Sequence, residues 1–149
     1  MAFFNKDPML ASNIILEHYD NPTHKIEENN IPGGYITYHN KSNTCIDDIT
    51  VYLKIENKII KDALFSGIGC AISTSTTDIF CNLLINKTLD EANILLDNYQ
   101  KMISNEKYDE DILDELLVFY NIPNQPNRIK CSKMGYFAIN EILNEELKK

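Results

Sequence analysis

Apolar and polar positions alternate most regularly between Ile49 and Glu56, where Ile49, Val51, Leu53 and Ile55 interleave with Thr50, Tyr52, Lys54 and Glu56. A period of two marks a strand with one buried face. Glu56-Asn57-Lys58 then reads as a tight turn into a second strand running from Ile59 to Phe65, so a β-hairpin is predicted. Helical spacing governs most of the remainder. Asp7-Pro8 supplies a capping carboxylate and a proline at the first helical position, and Leu10, Ile14 and Ile15 share one face of the helix it opens. Asn21-Pro22 stops that helix. Residues 23–44, broken by Pro32-Gly33-Gly34, read as a polar loop with room for a short strand over 35–38.

Gly67-Ile68-Gly69 ends the hairpin and delivers Cys70 to the start of a helix that reaches about Ile85. Thr88-Leu89-Asp90-Glu91 is a capping box, which opens another helix ending near Ile103. Ile112, Leu116 and Phe119 lie on one helical stripe, so a fourth helix is predicted over 108–119. Residues 121–127 hold two prolines and read as a loop. A last helix starts near Cys131, with Met134, Ala138, Ile142 and Leu143 on its apolar side. The expected class is α+β, a small antiparallel sheet packed against several helices in one domain spanning 1–149.

Composition narrows the function. Hydrophobic residues make up 44% and charged residues 24% of the 149, ordinary values for a globular chain with a real core. No apolar run approaches the ~18 residues that span a bilayer, so no membrane association is expected. The start of the chain has neither the basic residues nor the apolar stretch of a secretory signal, and the expected location is the cytoplasm. The net charge is −8, from 22 acidic and 14 basic residues, and the basic residues are scattered. Nucleic acid is therefore not an expected partner, whereas a basic protein would be.

Four cysteines, at 45, 70, 81 and 131, are the chemistry-bearing residues. In a reducing compartment an even count points to metal binding or thiol chemistry before disulfides. Cys45-Ile46-Asp47 precedes the first strong strand, Cys70 follows the second, and Cys131 begins the last helix. Three junctions of that kind can converge from distant parts of the chain. Cys81 lies within a helix beside Ile79 and Phe80 and reads as a small core residue. Three thiolates and a carboxylate can form a closed tetrahedral site, with Zn–S near ~2.3 Å. Thiolates suit zinc or iron–sulfur clusters rather than magnesium or calcium. Cys70 and Cys131 are both expected at helix N-termini, and Arg128 and Lys130 flank Cys131, so lowered thiol pKa values are expected. No Cys-x-x-Cys pair exists, and spacing alone leaves a metal site and free thiols both open. His18, His24 and His39 read as surface or core histidines, and the acidic residues 106–115 as a solvated helix face.

Several segments resemble the IscU/SufU/NifU N-terminal family of iron–sulfur cluster assembly proteins. The stretch from Ile15 to Pro22 is similar to that family's opening helix. Asn43-Thr44-Cys45-Ile46-Asp47-Asp48-Ile49 resembles its first ligand motif, usually Asn-Pro-x-Cys-Gly-Asp, and Phe65-Ser66-Gly67-Ile68-Gly69-Cys70-Ala71-Ile72-Ser73 resembles the second. Lys87 to Ala92 is similar to the helix start that follows, and Arg128-Ile129-Lys130-Cys131 to the third. The segments run in the family's order over nearly the whole chain. The SufU branch is closer. The stretch between Thr88 and Cys131 is longer than in IscU-type proteins, Lys130 stands where those carry a histidine ligand, and their Leu-Pro-Pro-Val-Lys segment is missing. Thr44 replaces a common proline. Ile46 replaces a glycine, which stiffens the Cys45 loop.

The resemblance implies a NifU/SufE-like fold and a zinc ion held by Cys45, Asp47, Cys70 and Cys131. It implies that Cys45 accepts sulfur from the persulfide of a cysteine desulfurase of the SufS kind, which carries its own pyridoxal phosphate. The sulfur would pass to downstream assembly or recipient proteins, so the chain reads as a sulfur acceptor or carrier, at most a sulfurtransferase. Two alternatives keep the same ligands: a scaffold for a 2Fe–2S cluster or iron, and a zinc module with only a structural role. A metal-free thiol enzyme would need one of the three histidines beside a cysteine.

Overall fold

The computed structural model describes residues 6–43 and 46–149. Helix α1, Pro8–Asp20, starts where the sequence places it, with the Asp7 carboxylate accepting from the Met9 amide and Pro8 in the first turn. Strands β1 (Ile36–Lys41), β2 (Asp48–Glu56) and β3 (Ile59–Ile68) form one antiparallel sheet in the order β1-β2-β3. The two-residue turn between β2 and β3 has Asn57 and Lys58 both at positive φ, the twist a tight hairpin needs. β1 is longer than the short strand expected over 35–38 and forms one edge of the sheet. The other edge is covered by residues 24–26, whose backbone bonds Phe65 in a parallel bridge. Covering an edge in this way blocks pairing with another chain.

Helix α2, Ala71–Leu84, is the centre of the molecule, and 11 of its residues are buried. Six in a row are polar, from Ser73 to Asp78. Ser75, Thr76 and Thr77 satisfy their hydroxyls on carbonyls one turn back, at Ala71, Ile72 and Ser73. A helix can then bury polar side chains without losing hydrogen bonds, and small side chains let its neighbours approach closely. Around it pack β3, α1 and two later helices. Cys81 is fully buried in the apolar cluster with Phe80 and Leu84, as its helix-interior position predicts.

Helix α3, Leu89–Ile103, carries the predicted capping box in full. Two expectations for the second half of the chain are corrected. The single helix expected over 108–119 is a one-turn helix α4, Glu110–Leu113, followed by a 3-10 stretch, Asp114–Phe119. The break falls at Asp114, at φ 52°, and it lets Leu113, Leu116, Leu117, Val118 and Phe119 all reach the core. The loop expected over 121–127 contains a 3-10 turn and then α5, Pro126–Ser132, with Pro126 in its first turn. The last helix, α6, is a separate element, Met134–Leu147. Cys131 thus lies at the C-terminal end of α5 and not at the start of the last helix. Among the described residues no helix is long and apolar enough to cross a membrane.

Candidate metal centre

Three of the four expected ligands converge. A carboxylate oxygen of Asp47 and the sulfurs of Cys70 and Cys131 all lie within 4.8 Å of one another. Cys45 lies outside the described residues. Asp47 immediately precedes β2, Cys70 caps α2, and Cys131 comes from α5, so the site gathers the first half of the sheet, the central helix and the C-terminal segment.

Two of the donors are held by the start of α2. Cys70 is the N-cap of α2, and its sulfur accepts from the Ser73 amide at 3.5 Å. Asp47 is only 1% exposed. Its Oδ1 accepts from the Cys70 amide at 2.9 Å and from the Ser73 hydroxyl at 3.0 Å. Its Oδ2 is buried and has no hydrogen-bond donor, a condition that no other buried side-chain oxygen or nitrogen shares among the described residues. A carboxylate buried beside two sulfurs is costly unless a cation meets it. One carboxylate and two thiols, with an oxygen left over, are a donor set that could hold zinc or iron.

The approach is tight. Gly67 has φ 115°, and a Cβ there would lie 2.0 Å from the Asp48 carbonyl oxygen. A Cβ at Gly69 would lie 2.3 Å from the Ser73 hydroxyl oxygen, so glycine there makes room for the group that holds Asp47. Beside Cys70 opens a cavity of about 320 Å³, bordered by Ser12, Ile15, Leu16, Ile72 and Arg128. Ile46 is 72% exposed next to the site, an apolar side chain at its rim.

The electrostatics around Cys131 correct a second expectation. Its thiol pKa is raised, chiefly by burial and then by Cys70 and Asp47. The C-terminal end of a helix carries negative partial charge, so the dipole there opposes a thiolate. Lys130, on the exposed side of α5, does not overcome that. The histidines stay away from Cys70 and Cys131: His18 lies between Asp78 and Glu115, His24 bonds Asn82, and His39 pairs with Asp48. The metal-free cysteine–histidine arrangement is therefore not formed at either described thiol of the site.

Ser73 escaped the reading of the sequence. The available signal was a serine three residues after a capping cysteine, where a hydroxyl can turn back to the N-terminus of its own helix. Ser73→Ala removes one of the two donors that orient Asp47. The expected result is a metal affinity weaker by about 10–100-fold, the usual cost of losing a partner that orients a ligand. A chelator-competition titration measures it, and an affinity within twofold of the parent would show that the hydroxyl does not orient the ligand.

The model of the NifU-like N terminal domain matches residues 10–145. An iron–sulfur cluster assembly scaffold protein IscU from Thermotoga maritima is 34% identical over 103 residues, 69% of this chain and 72% of that protein. The zinc-dependent sulfurtransferase SufU of Bacillus subtilis is 26% identical over 140 residues, 93% of this chain and 92% of its own length. The crystal structure of FiSufU, a SUF-system protein from Fervidobacterium islandicum AW-1, superposes with a TM-score of 0.78 at 28% identity, covering 91% of this chain and 97% of that one. The N-terminal part of a NifU-like protein from Brucella abortus shares the fold at a TM-score of 0.76 and 20% identity, over 96% and 99% of the two chains. With that family model spanning nearly its full length, the chain belongs to the NifU-like N-terminal domain family of IscU/SufU iron–sulfur cluster assembly proteins.

Proposed function

We propose that the chain is a zinc-holding acceptor and carrier of persulfide sulfur, with Cys45, Asp47, Cys70 and Cys131 as metal ligands and Cys45 as the acceptor. The observation that carries the reading is Asp47: a buried carboxylate with one oxygen tied to backbone and hydroxyl donors and the other left to a cation, beside two sulfurs. A carboxylate in place of a fourth thiolate makes that corner of the site harder and quicker to exchange. Zinc at this site would supply a Lewis acid that keeps its ligand thiols deprotonated near neutral pH. The donor is a cysteine desulfurase carrying a cysteine persulfide and its own pyridoxal phosphate.

Cys45 reacts as the thiolate, and its sulfur attacks the outer sulfur of the donor's persulfide. The donor's S–S bond breaks, its cysteine leaves as a thiolate, and Cys45 becomes the persulfide with no net oxidation or reduction. The sulfur then passes to an assembly or recipient protein. The chain is a carrier in this reading, a single domain acting in the cytoplasm. The similarity to a Bacillus subtilis zinc-dependent sulfurtransferase over 93% of the chain supports it. The 34% identity to a Thermotoga maritima scaffold favours the second reading, assembly of a 2Fe–2S cluster on the same ligands.

Metal and acid-labile sulfide per chain, measured on protein purified anaerobically, separate the two readings. About one zinc without sulfide is the expected result. Iron with sulfide would install the scaffold reading instead. Cys45→Ala is expected to take up no sulfur from a loaded desulfurase, as followed by mass spectrometry of alkylated thiols. Normal uptake by that variant would move the acceptor to another residue.

A further inference from the structure

Between Glu115 and Glu141 the chain has no acidic residue, in a protein of net charge −8, yet it places Arg128, Lys130 and Lys133 there. None of the three forms an ion pair among the described residues; Lys25, Lys41, Lys58, Lys61, Lys87 and Lys107 share that condition, but Arg128, Lys130 and Lys133 alone stand together in a stretch without acidic residues. Lys130 and Lys133 border an open groove of about 400 Å³ between the end of β1 and the start of α6. Its floor is apolar, formed by Ile129, Met134 and Phe137, and Phe137 is 42% exposed although its ring packs edge-on against Tyr38. Its lining also includes Asn43, two residues before Cys45.

We infer that this groove docks an acidic segment of the sulfur donor, one that presents an apolar side chain flanked by Asp or Glu. The inference rests on the carrier reading above and names the face by which the donor approaches. Charge complementarity selects the chemistry. The uncompensated lysines repel a basic partner, and the overall acidity that suits a basic protein does not describe this face. An exposed aromatic ring on a floor of Ile and Met is the kind of anchor that a single inserted apolar side chain fits. Position selects the donor, since an occupant here lies against the segment leading into Cys45. A second copy of this chain would have to bring its own acidic surface to the groove. Those are two different patches, so the contact would be head-to-tail and would grow into open assemblies.

The test compares two sulfur sources on the full-length, zinc-loaded protein: the cysteine desulfurase of the chain's own source cell, and cysteine persulfide, which needs no docking. Lys130→Glu/Lys133→Glu is expected to slow loading from the desulfurase about tenfold or more at low salt, with the deficit shrinking as salt approaches about 0.3 M. Loading from cysteine persulfide is expected to stay at the parent rate. Phe137→Ala is expected to weaken the complex at both salt concentrations. Desulfurase loading within twofold of the parent would overturn the inference, as would equal losses with both sources, which would mean damage to the metal site. Self-association that the double variant abolishes would hand the groove to a second copy. A parent protein that accepts sulfur from neither source removes the carrier reading, and the inference with it.

Discussion

Asp47→Asn is expected to cost the protein its metal while making the metal-free fold more stable. In the proposed reading the two effects have opposite signs, because Asp47 is buried for a ligand and not for the fold. Its Oδ1 accepts from the Cys70 amide and the Ser73 hydroxyl, and asparagine keeps that acceptor in place. At Oδ2 the carboxylate has no donor and faces a site shared with two sulfurs. An amide nitrogen there carries no charge and can donate to sulfur. Relief of an uncompensated buried carboxylate is worth about 1–2 kcal/mol. In a chain of this size that corresponds to a rise of about 3–6 °C in the Tm of the chelator-treated protein.

With zinc present the ranking reverses. A neutral amide is a poor zinc donor, and a loss of at least about 100-fold in affinity, roughly 2.7 kcal/mol, is expected. Ligand binding raises stability by RT ln(1 + [L]/Kd), so the zinc-dependent shift of the parent should shrink towards zero in the variant. Thermal melts of both proteins with chelator and with stoichiometric zinc measure all four quantities. An equal zinc shift in the two proteins would remove Asp47 from the ligand set, and a metal-free variant less stable than the parent would mean that the carboxylate serves the fold.

Legibility in the sequence followed the range of the interaction. The β2–β3 hairpin, the proline start of α1 and the capping box of α3 are written in adjacent residues and appear in the structure where they were expected. Cys70 as the cap of α2 was readable for the same reason. The C-terminal segment was harder. Pro123 and Pro126, three residues apart, suggest a loop, yet Pro126 opens α5, a use that proline permits at the first helical position. A seven-residue helix has no apolar periodicity long enough to see, so the sequence places Cys131 at the wrong end of a helix and points its thiol pKa in the wrong direction. The groove beside Lys130 and Lys133 requires α5, α6 and β1 to be placed together, which no local pattern provides. His18 was unreadable for a plainer reason: its partners lie 60 and 97 residues away.

That histidine carries the second large effect. His18 Nδ1 lies 2.6 Å from Asp78 Oδ2 and Nε2 lies 2.5 Å from Glu115 Oε1. Carboxylates only accept, so both ring nitrogens donate and the imidazole is the charged form. The hydrogen bond to Asp78, then that to Glu115, raises its pKa from 6.5 to about 9, against the opposing effect of burial. A base whose folded pKa is raised contributes its full stabilisation below its unfolded value and loses it as pH climbs through the folded one. Stability should thus hold up to about pH 6.5 and fall as pH rises through about 9. His18→Leu removes the side chain that bonds Asp78 Oδ2 and, among the described residues, leaves a fully buried carboxylate with the His24 amide, at 2.8 Å, as its remaining partner. Breaking a buried pair from one side typically costs about 3–5 kcal/mol, and the alkaline slope should vanish with it. Adding Asp78→Asn keeps the acceptor for the His24 amide and removes the stranded charge, so His18→Leu/Asp78→Asn should recover most of the loss. Urea unfolding at pH 6.5 and at about pH 9.5 reads both effects, the two conditions bracketing the raised pKa. If His18→Leu retained the parent's stability and its alkaline slope, the α1–α2 junction would owe its strength to Ala11, Ile14 and Ile15 packing on α2, and not to the charge at His18.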